Sequence, residues 1–129
     1  MALPARILIV DDEKPIVTLL AQTFEQEGHE VATAKDGIDC MNQMAAFRPD
    51  VVIMDIMMPK LDGVDTTRLI RRNRSYADII VVALSAKADE ETRHRMKEAG
   101  ANLFMRKPFV IAKLLARVSQ MLEIRSESH

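Results

Sequence analysis

Residues 51–63 read VVIMDIMMPKLDG. Four apolar residues, Val51 to Met54, end on a single carboxylate, Asp55, and more apolar residues lead to Pro59 and an Asp62-Gly63 turn. A carboxylate at the tip of a buried segment is costly unless a cation or hydrogen-bond donors accompany it. Asp55 therefore either reaches solvent or has company, and the source of that company decides the fold.

Outward from this stretch, short apolar or β-branched runs recur at Ile7–Val10, Glu30–Ala34, Ile79–Leu84 and Asn102–Met105. Helical spacing fills the gaps between them. The first helical segment has Pro15 near its start, Ile16, Val17, Leu20 and Phe24 on one face, and Gly28 past its end. The second carries Ile38, Met41 and Met44, and the third runs from Gly63 through Leu69 and Ile70 into Arg71, Arg72 and Arg74. The last carries Ile111, Leu114, Leu115, Val118 and Met121 as an amphipathic stripe. The fourth, from about Asp89 to Ala99, has little apolar anchorage beyond Met96 and flanking alanines, so it is held weakly. Strands alternating with helices imply a parallel sheet covered on both faces, an α/β doubly wound fold. The continuously apolar central runs agree, because such strands are buried on both sides.

Composition closes off other classes. The length of 129 residues suits a single domain over 1–129, with a core over about 5–124 and a frayed or truncated tail, SESH. A net charge of −1 gives no basic surplus for direct nucleic-acid binding. The one cysteine, Cys40, permits neither an internal disulfide nor a thiolate zinc cluster and is expected to pack on the sheet. No run has the length of a membrane span and the start lacks a signal-peptide pattern, so the expected setting is cytoplasmic. His29, His94 and His129 have no partner at metal-ligand spacing and are read as surface residues. The basic turn at Arg71, Arg72 and Arg74 is read as complementing a helix dipole and meeting solvent.

In an open parallel sheet, ligands bind beyond the carboxyl ends of the strands. Asp11 and Asp12 follow the first strand, Asp55 the third, Ser85 the fourth, and Arg106 and Lys107 the last. If these strands are neighbours, three carboxylates, a hydroxyl and an ammonium converge on one patch, which is the company Asp55 needs. Clustered carboxylates without nearby His or Cys suit a hard, partly hydrated cation, with Mg²⁺ the natural choice. A dication, a lysine and a hydroxyl around a carboxylate are the parts of phosphoryl-transfer chemistry, the carboxylate serving as nucleophile. Singly, each residue has a plainer reading. Asp12 alone would be the N-cap of a helix beginning near Glu13, Asp55 a turn residue, Ser85 a local backbone partner, and Lys107 a solvated lysine. Four such coincidences at one sheet edge favour the shared site.

The motifs ILIVDDE, the Asp36-Gly37 pair, PDVVIMDIMMPKLDG, VVALSAK, EAGAN and FMRKPF, in this order, resemble the receiver domain of two-component response regulators over nearly the whole chain. The resemblance implies a flavodoxin-like, five-stranded sheet in the order 2-1-3-4-5 with five helices, and a phosphoryl group taken from a phosphohistidine. By position, Asp55 resembles the phosphoacceptor, and Asp11 and Asp12 the acidic pair that holds Mg²⁺ (Mn²⁺ as an alternative), with the Met57 carbonyl as a further ligand. Ser85 and Lys107 match the phosphoryl-binding hydroxyl and lysine, the Lys107–Pro108 bond is expected to be cis, and Phe104 matches the switch aromatic. Implied partners are a sensor histidine kinase or histidine phosphotransfer protein, and an effector or a C-terminal output domain.

The chain departs from the pattern by which receivers of winged-helix transcription factors dimerise. At the positions that the resemblance matches to its two ion pairs stand Arg93 with Lys113, two like charges, and Leu103 with Arg117, so the expected state is a monomer or a phosphorylation-dependent dimer of another arrangement. Two other classes fail on named residues. A haloacid-dehalogenase-type hydrolase wants a second Asp where Met57 stands, and a flavodoxin-like cofactor site wants a hydroxyl- and glycine-rich loop where DDEKP would repel phosphate. Self-phosphorylation and self-dephosphorylation are expected, without enzymatic action on an external substrate.

Overall fold

The computed structural model describes residues 4–127. Five parallel strands, β1 (Arg6–Val10), β2 (Glu30–Ala34), β3 (Val51–Asp55), β4 (Ile80–Ser85) and β5 (Leu103–Arg106), form one sheet in the order β2-β1-β3-β4-β5. Five helices alternate with them: α1 (Lys14–Gln26), α2 (Gly37–Phe47), α3 (Gly63–Arg72), α4 (Glu90–Ala99) and α5 (Ile111–Glu127). The doubly wound, flavodoxin-like architecture expected from the sequence is the one found. A short 3₁₀ turn, Arg74–Tyr76, precedes β4 and has no counterpart in the sequence reading. Ser126 and Glu127 of the tail continue α5, while Ser128 and His129 lie outside the described residues.

Strand alternation sorts the core into two layers. Leu8, Val10, Val52, Met54, Val81 and Ala83 point to the face covered by α2, α3 and α4, where Cys40, Met44, Val64, Ile70 and Met96 meet them. Ile7, Ile9, Val51, Ile53, Val82 and Leu84 point to the opposite face, against Leu20 and Phe24 of α1 and Leu114, Val118 and Leu122 of α5. All five residues of β3 are buried. The central apolar runs thus serve both faces at once.

Three strand ends lie one residue further along than their apolar runs suggest. Asp55 pairs with Leu84 and Ser85 with Arg106, so these polar residues close their strands instead of following them. The ladder persists because backbone groups pair whatever the side chain: the Ile56 N–H still reaches the Leu84 carbonyl at 3.0 Å. The start of α1 also differs from expectation. Its N-cap is Glu13, not Asp12, and Pro15 sits within the first turn.

Helix α4 is held mainly at its ends. The Asp89 carboxylate accepts the Thr92 N–H at 3.0 Å, and Gly100 closes the helix at φ 114°, where a side chain would be strained. Between these caps only Thr92, Met96 and Ala99 are buried. Arg71, at the end of α3, is not the solvated residue expected from its basic run. Its Nε donates to the Gly100 carbonyl at 3.0 Å and its terminal nitrogens reach the Tyr76 carbonyl at 3.0 Å and Asn102 Oδ1 at 2.8 Å. A Cβ on Gly100 would stand 2.6 Å from Arg71 Cγ, so this glycine serves both the turn and the arginine's path.

Candidate functional site

The adjacent strands β1 and β3 deliver Asp11 and Asp55 to the same edge, since Val10 pairs with Met54. Asp11 and Asp55 are only 3% and 4% exposed, so neither is solvated by bulk water. Carboxylate oxygens of Asp11, Asp12 and Asp55 all lie within 4.8 Å of one another. From the end of β5, Lys107 reaches back across the sheet. Its Nζ lies 2.9 Å from Asp11 Oδ2, 3.3 Å from Glu13 Oε1 and 3.5 Å from Asp55 Oδ2.

Backbone donors complete the arrangement. The Glu13 N–H donates to Asp11 Oδ1 at 2.9 Å, and the Met57 N–H approaches Asp55 Oδ1 at 3.4 Å. The Lys107 N–H donates to the Ser85 carbonyl at 2.8 Å, which fixes the loop where the lysine originates. The Lys107–Pro108 peptide bond is cis. Gly63 is required for close approach, because a Cβ there would stand 2.7 Å from the Asp55 carbonyl oxygen. The Asp62-Gly63 turn therefore presses the start of α3 against the backbone of Asp55 itself.

Electrostatics follow from burial and crowding. Loss of water, and then the neighbouring Asp11 charge, push the Asp55 carboxyl up to about 6, with Lys107 pulling the other way. Burial works against the Lys107 ammonium, but its bond to Asp11 and the charges of Asp55, Asp11 and Glu13 outweigh that and hold it above its usual value. With Glu13 also on Lys107, the three clustered carboxylates keep an excess of negative charge suited to a dication, and every donor is oxygen. The acidic cluster fits a metal site.

Ser85 is fully buried one residue past Leu84, the pairing partner of Asp55, and its Oγ accepts the Lys87 N–H at 3.0 Å. Phe104 pairs with Ala83 and packs half-buried against the α2–α4 face. Met57 is 58% exposed beside Asp55. Asp12 is exposed, whereas Asp11 lies beneath it with Lys107. Glu13 is the residue the sequence reading passed over. Its signal was present in the DDE run but reads equally as a solvated helix start.

Residues 7–119 match the family described as the response regulator receiver domain. The chain belongs to this family. Among curated relatives, the receiver is 38% identical over 122 residues to the alkaline phosphatase synthesis transcriptional regulatory protein PhoP of Bacillus subtilis (strain 168), covering 95% of this chain and 50% of that protein. It is 38% identical over 123 residues to the transcriptional regulatory protein PrrA of Mycobacterium tuberculosis (strain ATCC 25618 / H37Rv), covering 95% and 52% respectively. The receiver thus spans about half the length of the curated relatives it matches. Among solved structures, it superposes on the Vibrio cholerae chemotaxis protein CheY4 with TM-score 0.87 and 28% identity, covering 92% of this chain and 99% of that one. On the BeF3-activated DrrB receiver domain the TM-score is 0.84 at 34% identity, covering 94% and 99%. Membership makes this receiver part of a two-component, phosphorylation-dependent signalling switch. Among its described residues no helix is long and apolar enough to cross a membrane.

Proposed function

We propose that Asp55 is the phosphoacceptor of this receiver, taking a phosphoryl group from a phosphohistidine on a sensor histidine kinase or a histidine phosphotransfer protein. The observation that carries this reading is the buried Asp55 carboxylate, 3.5 Å from the Lys107 ammonium and within the Asp11–Asp12–Asp55 cluster. An Asp55 oxygen forms the new O–P bond as the P–N bond breaks, and the leaving imidazole nitrogen keeps the electron pair. Lys107 neutralises charge on the transferred group, and the Ser85 hydroxyl donates to a phosphoryl oxygen. Asp11, Asp12, Asp55 and the Met57 carbonyl are the residues to hold Mg²⁺, or Mn²⁺ in its place. When bound, the cation supplies charge neutralisation and orientation at the phosphoryl oxygens.

The phosphoryl group adds charge and acceptor oxygens beside Ser85 and Lys107. Turning the Ser85 hydroxyl toward it gives up the Lys87 N–H bond, shifts the loop into α4, and frees space for Phe104. The surface of α4, β5 and α5 then signals the phosphorylated state to an effector or to an output domain following in the same polypeptide, in a cytoplasmic setting. Arg93 and Lys113 argue against the usual winged-helix dimer, leaving a monomer or a phosphorylation-dependent dimer of different geometry. The receiver acts on its own acyl phosphate and on no external substrate.

The decisive test is intact mass after incubation with acetyl phosphate and Mg²⁺, for wild type and Asp55→Asn, with EDTA controls. One phosphoryl adduct that requires the metal and disappears in the variant is the expected outcome. An adduct that survives in Asp55→Asn would move the acceptor elsewhere, and no adduct at all would leave a silent receiver.

A further inference from the structure

Glu13 stands at the N-cap of α1 with extended backbone angles of φ −90° and ψ 99°, yet its side chain makes no capping bond. Helix starts favour Ser, Thr, Asp or Asn at this position because a short side chain can turn back onto the exposed N–H groups. Here the longer carboxylate points to Lys107 Nζ, at 3.3 Å. The helix forgoes a cap and the lysine gains a counter-ion.

Lys107 has three carboxylates around it: Asp11, Glu13 and Asp55. Two of them belong to the cluster able to hold a cation, and Glu13 does not. An ammonium and a dication that draw on the same two carboxylates oppose each other, by repulsion and by competition for oxygen. We propose that Glu13 is a positioning residue: it retains Lys107 at the site when Asp11 and Asp55 turn their charge to a divalent cation, so that lysine and metal are held together. The inference rests on the metal and phosphoryl reading above and deepens it. Glu13 is suited to the part because its side chain, 58% exposed, can follow the ammonium, whereas Asp11 is fixed by the Glu13 N–H.

The experiment is a Mg²⁺ titration followed by calorimetry for wild type, Glu13→Gln, Lys107→Met and the double variant. Glu13→Gln is expected to weaken Mg²⁺ binding about three- to tenfold, and the same change in the Lys107→Met background by less than about twofold. An equal loss in both backgrounds would overturn the proposal, because Glu13 would then act only as a nearby negative charge. Should Lys107→Met not fold, the ¹⁵Nζ ammonium resonance of Lys107 in the other two proteins decides instead. At saturating Mg²⁺ it should persist in wild type and broaden in Glu13→Gln, and equal signals would sink the idea. Wild type that binds no Mg²⁺ would remove the metal reading and this inference with it, whereas binding with an additive cycle removes Glu13's role alone.

Discussion

The guanidinium carbon of Arg93 lies 4.6 Å from the ring centroid of Phe104, while its Nε donates to the Ala88 carbonyl at 3.3 Å. One side chain therefore bridges β5 and the loop into α4, the two segments that must move together if Ser85 and Phe104 are coupled. Such a cation–π contact at a partly exposed site contributes about 0.5–1 kcal/mol. Arg93→Ala should raise amide exchange across α4 severalfold while leaving exchange in β1 and β3 unchanged. Unaltered α4 exchange would show that the bridge restrains nothing.

Asp55 supplies a stability prediction with a definite sign. Its folded-state value is raised from 3.8 to about 6, so the ionised carboxylate is less comfortable folded than unfolded. That penalty is fully present above about 6 and vanishes as pH falls below the unfolded value. With EDTA at pH 7.5, Asp55→Asn should raise the unfolding free energy by about 1–3 kcal/mol in urea titrations. The gap between variant and wild type should shrink toward pH 4. A less stable Asn variant at pH 7.5 would contradict the assigned direction.

His29 acts with the opposite pH sense. Its Nδ1 accepts the Ala5 N–H at 3.0 Å, and its ring lies 5.9 Å from that of Phe24. Burial lowers its pKa from 6.5, opposed by the charges of Glu27 and Asp50. A lowered folded-state value means that His29 stabilises the fold above the unfolded pKa and loses this contribution as pH falls through the folded one. The stability difference between wild type and His29→Gln should therefore be larger at pH 7.5 than at pH 5. A difference independent of pH would mean that the imidazole is not held neutral.

Arg71 binds the Gly100 and Tyr76 carbonyls and the Asn102 side-chain oxygen through a planar fork that lysine cannot reproduce. Arg71→Lys is expected to cost about 1.5–3 kcal/mol in chemical denaturation, because at least two carbonyls lose a charged donor. A change under 0.5 kcal/mol would return the residue to the solvated role its sequence suggests.

The Cys40 thiol, fully buried against the sheet and pushed up to about 12 by burial and then by Asp39, should not react with a disulfide reagent in the native state. Labelling should appear only on unfolding, with the same denaturant midpoint as the loss of circular dichroism. Rapid native labelling would place Cys40 in a locally open segment.

What the sequence made legible were features with a local or periodic signature. The apolar runs of β1, β3 and β4 and the stripe of α5 declare themselves by spacing, and the polar residues at strand ends mark the site edge once the sheet is taken as parallel. Arg71 was illegible because its partners are backbone carbonyls at Tyr76 and Gly100, which carry no side-chain signature. Glu13 was hidden differently. A charged residue at a helix start has an adequate local explanation, and only the contact across 94 positions to Lys107 shows that it does something else. The one-residue extension of β3 and β4 escaped notice because ladder pairing ignores polarity, whereas hydrophobic patterning stops at the first charge.

The amino edge of the sheet is fastened quite differently from the edge that carries the chemistry. Arg6 donates its Nε to the Phe47 carbonyl at 2.6 Å and its N–H to Asp50 Oδ2 at 2.8 Å. From α5, Arg125 grips Asp50 Oδ1 at 2.8 Å and the Asp78 carbonyl at 3.3 Å, and Asn102 Oδ1 accepts the Val81 N–H at 2.8 Å. The opposite edge is spanned chiefly by one ammonium and its carboxylates. Mechanically, the strands are cantilevers clamped at one end. A small force applied at the free end deflects the loops there and leaves the clamped base, with whatever is anchored to it, as the fixed reference against which the displacement is read.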